Sequence, residues 1–480
     1  MGCTEIPGYL KERSQAGRRR NPCTSSLKGY FSAMKSAHSI LLALALLWVS
    51  ILTAQEIPVE PGHPVYPFLE REHRLGHITP DEFGVLPYTR SEISDLLHQL
   101  DRQLPMEARQ RTLLKRFLVE FQTDDIPSGM TGFWQGSRWG EVFRDARAPF
   151  PDRYRDPHCI TYRGSEVLGW ADFEEGYRLE SDGDHSRSLW HDQLTFSGTF
   201  LDQISFQSHY VFYRLENVAG FDPEFPTEYR QGYVLDHEES GWRVWDDSRA
   251  TLAWHNAFAR IELSKAPIIW GFGGRNSPIL SGNVASFPHF GFHFRTKHFN
   301  LSSFDGALVA FADLPGDSLM PEKRLAGHRF ELDASKNLTL AFSELVVYGN
   351  RGLETGYLLP LSLFVTQEHQ LGDRDNVVIA FEGWYRLQKG LSVFGTLFMD
   401  ELDWVNLFKP WWGNKVVFQT GLGWVPASDP RIPELNLTLT LARPWVYTHD
   451  DTVSSYTAAG RGLGLPLGPN SQQLELEAIS

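Results

Sequence analysis

The chain has 480 residues, including 15 Trp and 32 Phe, and a formal net charge of −14 at pH 7. Aromatic residues reach 13% while the mean hydropathy is only −0.30, so apolar and polar residues must be interleaved instead of grouped in long apolar runs. The acidic balance argues against a nucleic-acid partner, since a phosphate-binding surface needs clustered Lys and Arg.

A secretory signal is predicted near the N-terminus. Lys35 gives a positive charge, residues 40–52 form an apolar stretch, and Ala54 is a small residue before the expected cleavage site. The stretch is shorter than the roughly 20 residues that a membrane-spanning helix needs. We therefore predict export with cleavage, a leader and signal peptide over residues 1–54, and Met34 as the true start.

No catalytic, metal-binding or cofactor motif is recognisable. The mature chain keeps only Cys159, because Cys3 and Cys23 precede the predicted cleavage site, so no disulfide framework or cysteine-based zinc site is expected. The 17 His include no pair at metal-ligand spacing on a helix, and no G-x-S-x-G motif occurs. We predict that the protein has no cofactor and no metal, and is not an enzyme.

Residues 55–124 are predicted to form a small helical domain. Thr89-Arg90-Ser91-Glu92 has the pattern of a capping box, in which the Thr hydroxyl and the Glu carboxylate each accept a hydrogen bond from a backbone N–H at a helix start. Apolar residues follow at helical spacing. Pro105 suits the first turn of a second helix, whose predicted apolar face consists of Leu113, Leu114, Phe117, Leu118 and Phe121.

From residue 125 to the end, the apolar period changes from that of a helix to that of a strand. Residues 435–441 read Leu-Asn-Leu-Thr-Leu-Thr-Leu, which places the four Leu on one face and the polar residues on the other. Similar alternation predicts strands within residues 194–200, 204–212, 290–294, 329–333, 338–342, 377–385, 391–399 and 416–424.

A soluble sandwich and a membrane barrel both produce this alternation. Export, strands of nearly ten residues and aromatic residues near strand ends, such as Trp404, Trp411, Trp412 and Trp424, favour the barrel. Strands in lipid must close on themselves, because an open edge leaves backbone groups unpaired. The apolar sides are then expected to face hydrocarbon, and the polar sides to enclose a wet interior.

Several ordered motifs make the chain resemble the Wzi capsule-assembly family of outer-membrane proteins. They cover nearly all of the predicted mature chain. They are His63-Pro64-Val65-Tyr66 with Phe68-Leu69, Pro87-Tyr88-Thr89-Arg90, Trp270-Gly271-Phe272-Gly273, Leu280-Ser281-Gly282-Asn283, Phe287-Pro288-His289-Phe290, Ala326-Gly327-His328-Arg329, Ser343-Glu344, Tyr348-Gly349-Asn350-Arg351-Gly352 and Gly372-Asp373-Arg374-Asp375-Asn376.

The resemblance implies an all-β transmembrane barrel of about 18 antiparallel strands over residues 125–480, with residues 55–124 as a periplasmic helical domain. It implies a lectin-like protein of the cell outer membrane that attaches capsular polysaccharide or exopolysaccharide to the cell surface. Its expected partners are that polysaccharide and outer-membrane lipid, and a monomer is expected. Members of the family continue through further strands, whereas this sequence stops at Ser480, so the barrel is expected to be incomplete at the C-terminus.

Candidate polysaccharide-binding or lumen residues are polar or aromatic side chains within these motifs. Arginine can bind a uronic-acid carboxylate bidentately, and Trp rings can stack on sugars. Two alternatives stay open, namely a lumen network of opposed charges and, for Trp270, Trp384, Trp411 and Trp412, an interfacial belt. The candidates are Trp270, Arg275, Asn283, His289, Glu344, Arg351, Asp373, Arg374 and Asn376.

Two other functions remain open from the sequence. The same barrel could serve as an outer-membrane porin or a polysaccharide-passage channel, since a polar lumen can conduct. An outer-membrane hydrolase acting on lipid or glycan would need a Ser/His/Asp cluster, and none is readable at suitable spacing.

Overall fold

The computed structural model describes residues 55–80, 82–103, 108–121, 129–132, 158–181, 186–216, 235–237, 241–311, 319–401, 413–426 and 432–479. The predictions for the leader, for Met34, for Pro105 and for Trp404, Trp411 and Trp412 lie outside these residues. Of the helices within them, none has the length and apolarity required to traverse a bilayer.

Three helices precede the barrel: α1 (Val65–Arg74), α2 (Arg90–Gln103) and α3 (Ala108–Phe121). The predicted capping box at the start of α2 is confirmed. The Thr89 N–H donates to Glu92 Oε2 at 2.5 Å, and the Glu92 N–H donates to Thr89 Oγ1 at 3.3 Å. The apolar faces of the helices meet in one buried cluster that includes Leu69, Leu97, Leu100, Leu114, Phe117 and Phe121.

Most of the described strands after the helices form a large antiparallel β-barrel, as predicted. The barrel strands are β2 (Gly129–Gly132), β3 (Ile160–Arg163), β4 (Val167–Ser181), β5 (Ser186–Phe200), β6 (Ile204–Glu216), β7 (Leu235–His237), β8 (Trp242–His255), β9 (Ala259–Ala266), β12 (Phe287–Arg295), β13 (Phe299–Leu308), β14 (Lys323–Ser335), β15 (Leu338–Gly349), β16 (Asn376–Gln388), β17 (Leu391–Glu401), β18 (Lys415–Trp424), β19 (Glu434–Ala442) and β22 (Ser471–Ile479). The described registers join these strands in chain order, with β6 pairing β8, β9 pairing β12, and β19 pairing β22.

Many of the described strands turn apolar side chains outward, as β18 shows. In β18, Phe418, Leu422 and Trp424 are 46%, 42% and 37% exposed, whereas the alternate residues Val417 and Gln419 are completely buried inside. A soluble sandwich would bury the first set and expose polar residues instead. The outward surface is therefore the lipid-facing wall of an outer-membrane barrel.

The two ends of the barrel differ in how the strands are joined. At one end, the short-turn end, six connections are turns of two or three residues, at 164–166, 201–203, 256–258, 296–298, 336–337 and 389–390, and a seventh, 425–433, is longer. At the other end, the long-connection end, residues 182–185 form a short connection, and long ones run over 267–286, 309–322, 350–375, 402–414 and 443–470. Helix α1 lies at the short-turn end, where the Arg71 guanidinium contacts Glu434 at 2.5 Å and the Gly390 N–H donates to the Arg74 carbonyl at 3.0 Å.

Two of the long connections fold back into the lumen. We call residues 267–286 and 443–470 together the plug. The first part contributes β10 (Ile269–Trp270) and β11 (Leu280–Ser281), which form a three-stranded sheet with β1 (Val85–Leu86). The second contains the hairpin of β20 (Thr457–Ala458) and β21 (Arg461–Gly462).

An apolar core lies between the plug and the inner wall. It joins plug residues such as Ile279, Val446 and Leu463 to inward-facing wall residues. Those wall residues include Phe304, Leu325, Leu345, Val347, Val378, Phe398 and Val417. The expectation of a wet interior is therefore wrong for this part of the lumen, because the wall's inward side there carries apolar residues that the plug buries.

Candidate functional surfaces

Trp270 lies at the centre of the plug and is only 1% exposed. Its ring meets Phe304 of the barrel wall edge-on, with ring centroids 5.1 Å apart. Gly327 on β14 faces the same ring, and a Cβ there would lie 3.1 Å from Trp270 Cζ3, which explains the absence of a side chain. The structure places Trp270 in a packed core, out of reach of a sugar.

Hydrogen bonds tie the two parts of the plug together. The Tyr447 hydroxyl donates to the Pro278 carbonyl at 2.9 Å, and the Tyr456 hydroxyl donates to the Ile279 carbonyl at 2.9 Å. Burial raises the pKa of both tyrosine hydroxyls, so they remain protonated donors. The candidate Asn283 belongs to the same seam, where its Nδ2 donates to the Gly462 carbonyl at 3.2 Å.

A polar layer separates the plug from the short-turn end. The candidate His289 lies in this layer at 3% exposure, with its Nε2 3.5 Å from Glu262 Oε1. His293 also faces Glu262 at 3.5 Å and lies 3.8 Å from Glu82, a residue ahead of the barrel. Burial alone would raise the pKa of Glu82, but His293 and nearby arginines lower it to about 2.

The same layer fastens the segment that precedes the helices. Arg295 of β12 contacts Glu92 of α2 and, at 3.1 Å, Glu56. Arg260 of β9 reaches Glu56 as well, at 3.3 Å. Burial would raise the pKa of Glu56, yet the two guanidinium groups lower it, so this carboxylate stays charged beneath the barrel mouth.

The candidate Arg275 differs from the others inside the barrel. It lies in a short 3-10 turn (Gly274–Asn276) of the plug, and its side chain is exposed. The neighbouring Asn276 crosses to the opposite wall and donates to Glu475 at 2.6 Å. Among the described residues, no carboxylate forms an ion pair with Arg275.

A third long connection does not enter the lumen. Residues 350–375, which we call the flap, lie against the outward side of β14 and β15 and contain α4 (Phe364–Leu371). The candidate Glu344 is an outward residue of β15 and is only 1% exposed, because α4 begins on top of it. Its carboxylate accepts the N–H groups of Phe364 at 2.8 Å and Val365 at 2.9 Å, and His328 Nε2 lies 3.0 Å away.

The candidate Arg351 holds the two ends of the flap together. Its guanidinium binds Asp375 through two contacts of 2.9 and 2.5 Å, and the Tyr357 hydroxyl donates to the same carboxylate at 2.7 Å. Asp373 and Arg374 follow α4 and are exposed. Because an internal carboxylate already engages Arg351 bidentately, this arginine serves the flap before any sugar acid.

The carboxyl group of Glu368, in the flap, favours its protonated form. Glu368 on α4 is 9% exposed. Burial, followed by the negative charges of Asp373, Asp375, Glu344 and Glu401, raises its pKa to about 8.

The predicted site residues therefore do not form one site. Trp270 and Asn283 lie in the plug core, His289 in the polar layer and Arg275 on the plug surface. Asn376 begins β16 and is 2% exposed beside Val347. The remaining four, Glu344, Arg351, Asp373 and Arg374, lie in or under the flap, on the outward side of the wall. Among the described residues, no group of His, Cys, Asp and Glu suited to a metal ion is present.

A cavity that the sequence reading missed lies toward the long-connection end of β5, β6 and β8. It measures about 680 Å³ and is lined by aromatic, acidic and basic side chains. Trp190 and Phe212 are 41% and 58% exposed, and the Trp190 ring packs on Tyr177 at 4.5 Å. The lining also includes Glu175, Asp192, Arg214, Glu216 and Asp246.

A signal for this cavity was present in the sequence. Trp190 and Asp192 share one face of β5, and Phe212 and Arg214 share the same face of the neighbouring β6. Mixed aromatic and charged residues on an outward face indicate a position beyond the apolar band. Exposed rings beside carboxylate acceptors form the kind of surface that receives sugar C–H faces and hydroxyl groups.

The apolar outer wall and the plug packed inside it define the class of the fold, an outer-membrane β-barrel with two of its own connections folded into its lumen. No family model matches the chain, and a search of curated proteins finds no match either. Among solved structures, the chain is similar to Wzi of Escherichia coli, described as an outer-membrane protein involved in group 1 capsule assembly and as a carbohydrate-binding β-barrel.

The similarity to Wzi is one of fold. The TM-score is 0.51 at 13% sequence identity, covering 88% of this chain and 80% of that chain. The search also returns OmpT of Vibrio cholerae, with 10% identity, a TM-score of 0.26 and coverage of 62% and 94%. A Pseudomonas aeruginosa FadL homologue has 11% identity, a TM-score of 0.22 and coverage of 62% and 72%. The chain thus has a Wzi-like barrel fold, whereas its membership of the family stays a prediction.

Proposed function

We propose that this protein is a non-enzymatic, lectin-like barrel of the outer membrane that attaches capsular polysaccharide or exopolysaccharide to the cell surface. The observation that carries the proposal is the plug packed inside the barrel. A plug held by wall contacts and by buried tyrosine hydrogen bonds leaves a surface that can bind a polymer, and it opposes passage of the polymer through the barrel.

The lengths of the connections support one orientation of the barrel in the membrane. Outer-membrane barrels join their strands by short turns on the periplasmic side and by longer loops outside. In this orientation, helices α1 to α3 lie in the periplasm, and the cavity around Trp190 and Phe212 faces the cell exterior. The polysaccharide would then meet exposed aromatic rings and carboxylates just beyond the lipid-facing band.

The fold of Wzi also supports the proposal, since that protein is described as a carbohydrate-binding barrel. In this chain, the cavity around Trp190 and Phe212 provides side chains suited to binding a carbohydrate. Trp190 presents an apolar ring to sugar C–H groups, while Asp192 and Asp246 offer acceptors for hydroxyl groups. Arg214 is held at 2.8 Å by Glu216 and adds a donor to the same surface.

The proposal is tested in a strain that makes a surface polysaccharide. Deleting the gene should release polysaccharide into the medium without stopping its synthesis, and the intact gene should restore attachment. A gene encoding Trp190→Ala should restore it poorly. The matched control is Trp424→Ala, which removes an outward Trp of similar exposure at the other end of the wall. Unchanged cell-bound polysaccharide in the deletion strain would rule out the anchoring role.

Two further measurements address the alternatives. Planar-bilayer recordings should show little steady conductance, because the plug crosses the lumen, and a stable open current would favour a porin or passage channel. Incubation of the purified protein with polysaccharide and with lipid should yield no cleavage products. A released oligosaccharide or fatty acid would show that the protein is an enzyme.

A further inference from the structure

The outward wall beneath the flap carries three polar residues, beside apolar ones such as Ala326 and Val346, at positions where a lipid-facing wall is expected to be apolar throughout. Asp305, His328 and Glu344 all point outward from β13, β14 and β15, and each is only 1% exposed. Charged and polar side chains facing hydrocarbon are strongly unfavourable. The flap reduces this conflict at two of them, since α4 donates backbone N–H groups to Glu344 and packs Phe364 on His328. Asp305 is bound within the wall itself, by Arg324 and Tyr348.

The level of these residues can be read from the strand registers. His328 pairs with Glu344, and the row continues through Ile379 of β16 to Met399 of β17. In the other direction the same row passes Ser303 and then reaches two apolar residues, Phe292 of β12 and Ile261 of β9. A row of paired residues rises on one side and falls on the other when the strands tilt. Since apolar outward residues flank the polar stretch on both sides, the polar stretch lies at the level of the lipid-facing band for either direction of tilt.

The flap descends to that same level. Glu344 lies five residues before the end of β15 at Gly349, which corresponds to roughly 16 Å along the strand. The carboxylate of Glu344 accepts the first N–H groups of α4, so the start of this helix is fixed at that depth. On its inner side, Phe364 packs against His328 with ring centroids 4.3 Å apart.

Four leucines are exposed in the first half of the flap, whereas the exposed side chains of α4 and of the segment after it are polar, namely Thr366, His369, Gln370, Asp373 and Arg374. Leu353, Leu359, Leu361 and Leu363 are 50%, 58%, 79% and 56% exposed. These fractions match or exceed those of lipid-facing wall residues such as Phe381, at 51%. Four exposed leucines within residues 353–363 indicate a contact with lipid or with another apolar partner.

We propose that the flap is seated in the outer leaflet of the membrane, where Leu353, Leu359, Leu361 and Leu363 contact acyl chains and screen the outward polar residues of β13 to β15 from them. The occupant of this surface is lipid, because the leucines lead up to Phe364, which contacts the wall at the level of the lipid-facing band. Arg351 and Asp375 join the two ends of the flap, and Glu344 fixes its lower part. This inference rests on the membrane placement contained in the proposed function.

The test measures the environment of single fluorescent labels. Cys3, Cys23 and Cys159 are replaced by serine, and one cysteine is introduced and labelled with an environment-sensitive dye. The test position is Leu361. The positive control is Leu437, a β19 wall residue that is 40% exposed, and the aqueous control is Arg102 on α2. The labelled proteins are reconstituted into phosphatidylcholine vesicles with and without brominated acyl chains.

The dye at Leu361 should show a blue-shifted emission and lose intensity in brominated lipid as strongly as the dye at Leu437, while the dye at Arg102 stays unquenched. Water-like emission at Leu361 with quenching retained at Leu437 would overturn the inference and leave the barrel placement intact. A blue-shifted but unquenched dye at Leu361 would identify a protein or a second copy as the occupant, and would also overturn it. Absence of quenching at Leu437 too would reject the membrane placement and this inference together.

Discussion

Replacing Trp270 by alanine should strongly destabilise the barrel, because the indole is the largest side chain in the plug core. A buried indole removes roughly 150–250 Å² from water, which at about 25 cal/mol per Å² corresponds to roughly 4–6 kcal/mol. Since alanine retains part of this burial and the cavity relaxes only in part, we expect a loss of about 3–5 kcal/mol in the free energy of unfolding. Trp270→Phe should lose less, because the contact with Phe304 can be kept.

The assay is denaturant unfolding of the refolded protein in lipid vesicles, followed by the different gel mobilities of folded and unfolded barrels. Trp190→Ala is the matched control, because Trp190 is 41% exposed and Trp270 only 1%. The control should change the free energy of unfolding by about 1 kcal/mol or less. A loss at Trp270 as small as that of the control would refute the description of the plug as a packed core.

The same pair of variants separates folding from binding. Trp190→Ala should weaken polysaccharide attachment while leaving unfolding almost unchanged. Trp270→Ala should destabilise the protein while the population that remains folded binds polysaccharide normally. The proposed binding surface would be misplaced if the polysaccharide affinity followed Trp270 and ignored Trp190.

Three further predictions concern the flap and the helical segment. Glu344→Ala should loosen the start of α4 by about 1–3 kcal/mol and open the flap to limited proteolysis; resistance equal to that of the unchanged protein would contradict it. The pKa of Glu368 is raised from 4.5 to about 8, so the folded flap holds this proton in a pH range where the unfolded chain has lost it. The stability of the flap should therefore fall as the pH rises from about 4.5 to about 8. Glu368→Gln should flatten this pH dependence, which hydrogen exchange measures. A slope unchanged by that substitution would assign the effect to another group. Arg295→Ala leaves Glu56 and Glu92 without this partner at the barrel mouth, which should lower the free energy of unfolding by about 3–5 kcal/mol. The helical segment should then become accessible to protease, unlike in Arg295→Lys. Equal protection in both variants would argue against this contact as the attachment of the helical segment.

The barrel wall could be predicted from the sequence because the pattern that specifies it lies within each strand. Alternation with period two determines which residues face lipid, and stretches such as 416–424 and 435–441 lie within β18 and β19. The helix start at Thr89 was readable for the same reason, since a capping box is complete within four residues. Strands with weaker alternation escaped prediction, as in β8, whose outward face includes Asp246 and Ser248 beside Leu252.

The contents of the lumen could not be predicted in this way. Trp270 and Tyr447 are far apart in the sequence, and both contribute to the plug through contacts that no local period encodes. The candidate residues of the sequence reading were chosen for their chemistry, and most of them proved to have partners inside the protein. Glu344 and Arg351 are examples, since the strongest hydrogen-bonding groups of a chain also make its strongest internal contacts.

The flap, by contrast, is indicated in the sequence by polar residues at outward positions of β14 and β15. Alternation in β14 places Phe330 and Leu332 on the outward face, and the same count places His328 there as well. In β15 it places Glu344 on that face beside Phe342. A charged residue in register with lipid-facing Phe must be covered, paired or lifted out of the bilayer. The two outward polar residues on adjacent strands, followed within a few residues by the leucine-rich connection 350–375, therefore point to a connection that folds back over its own wall.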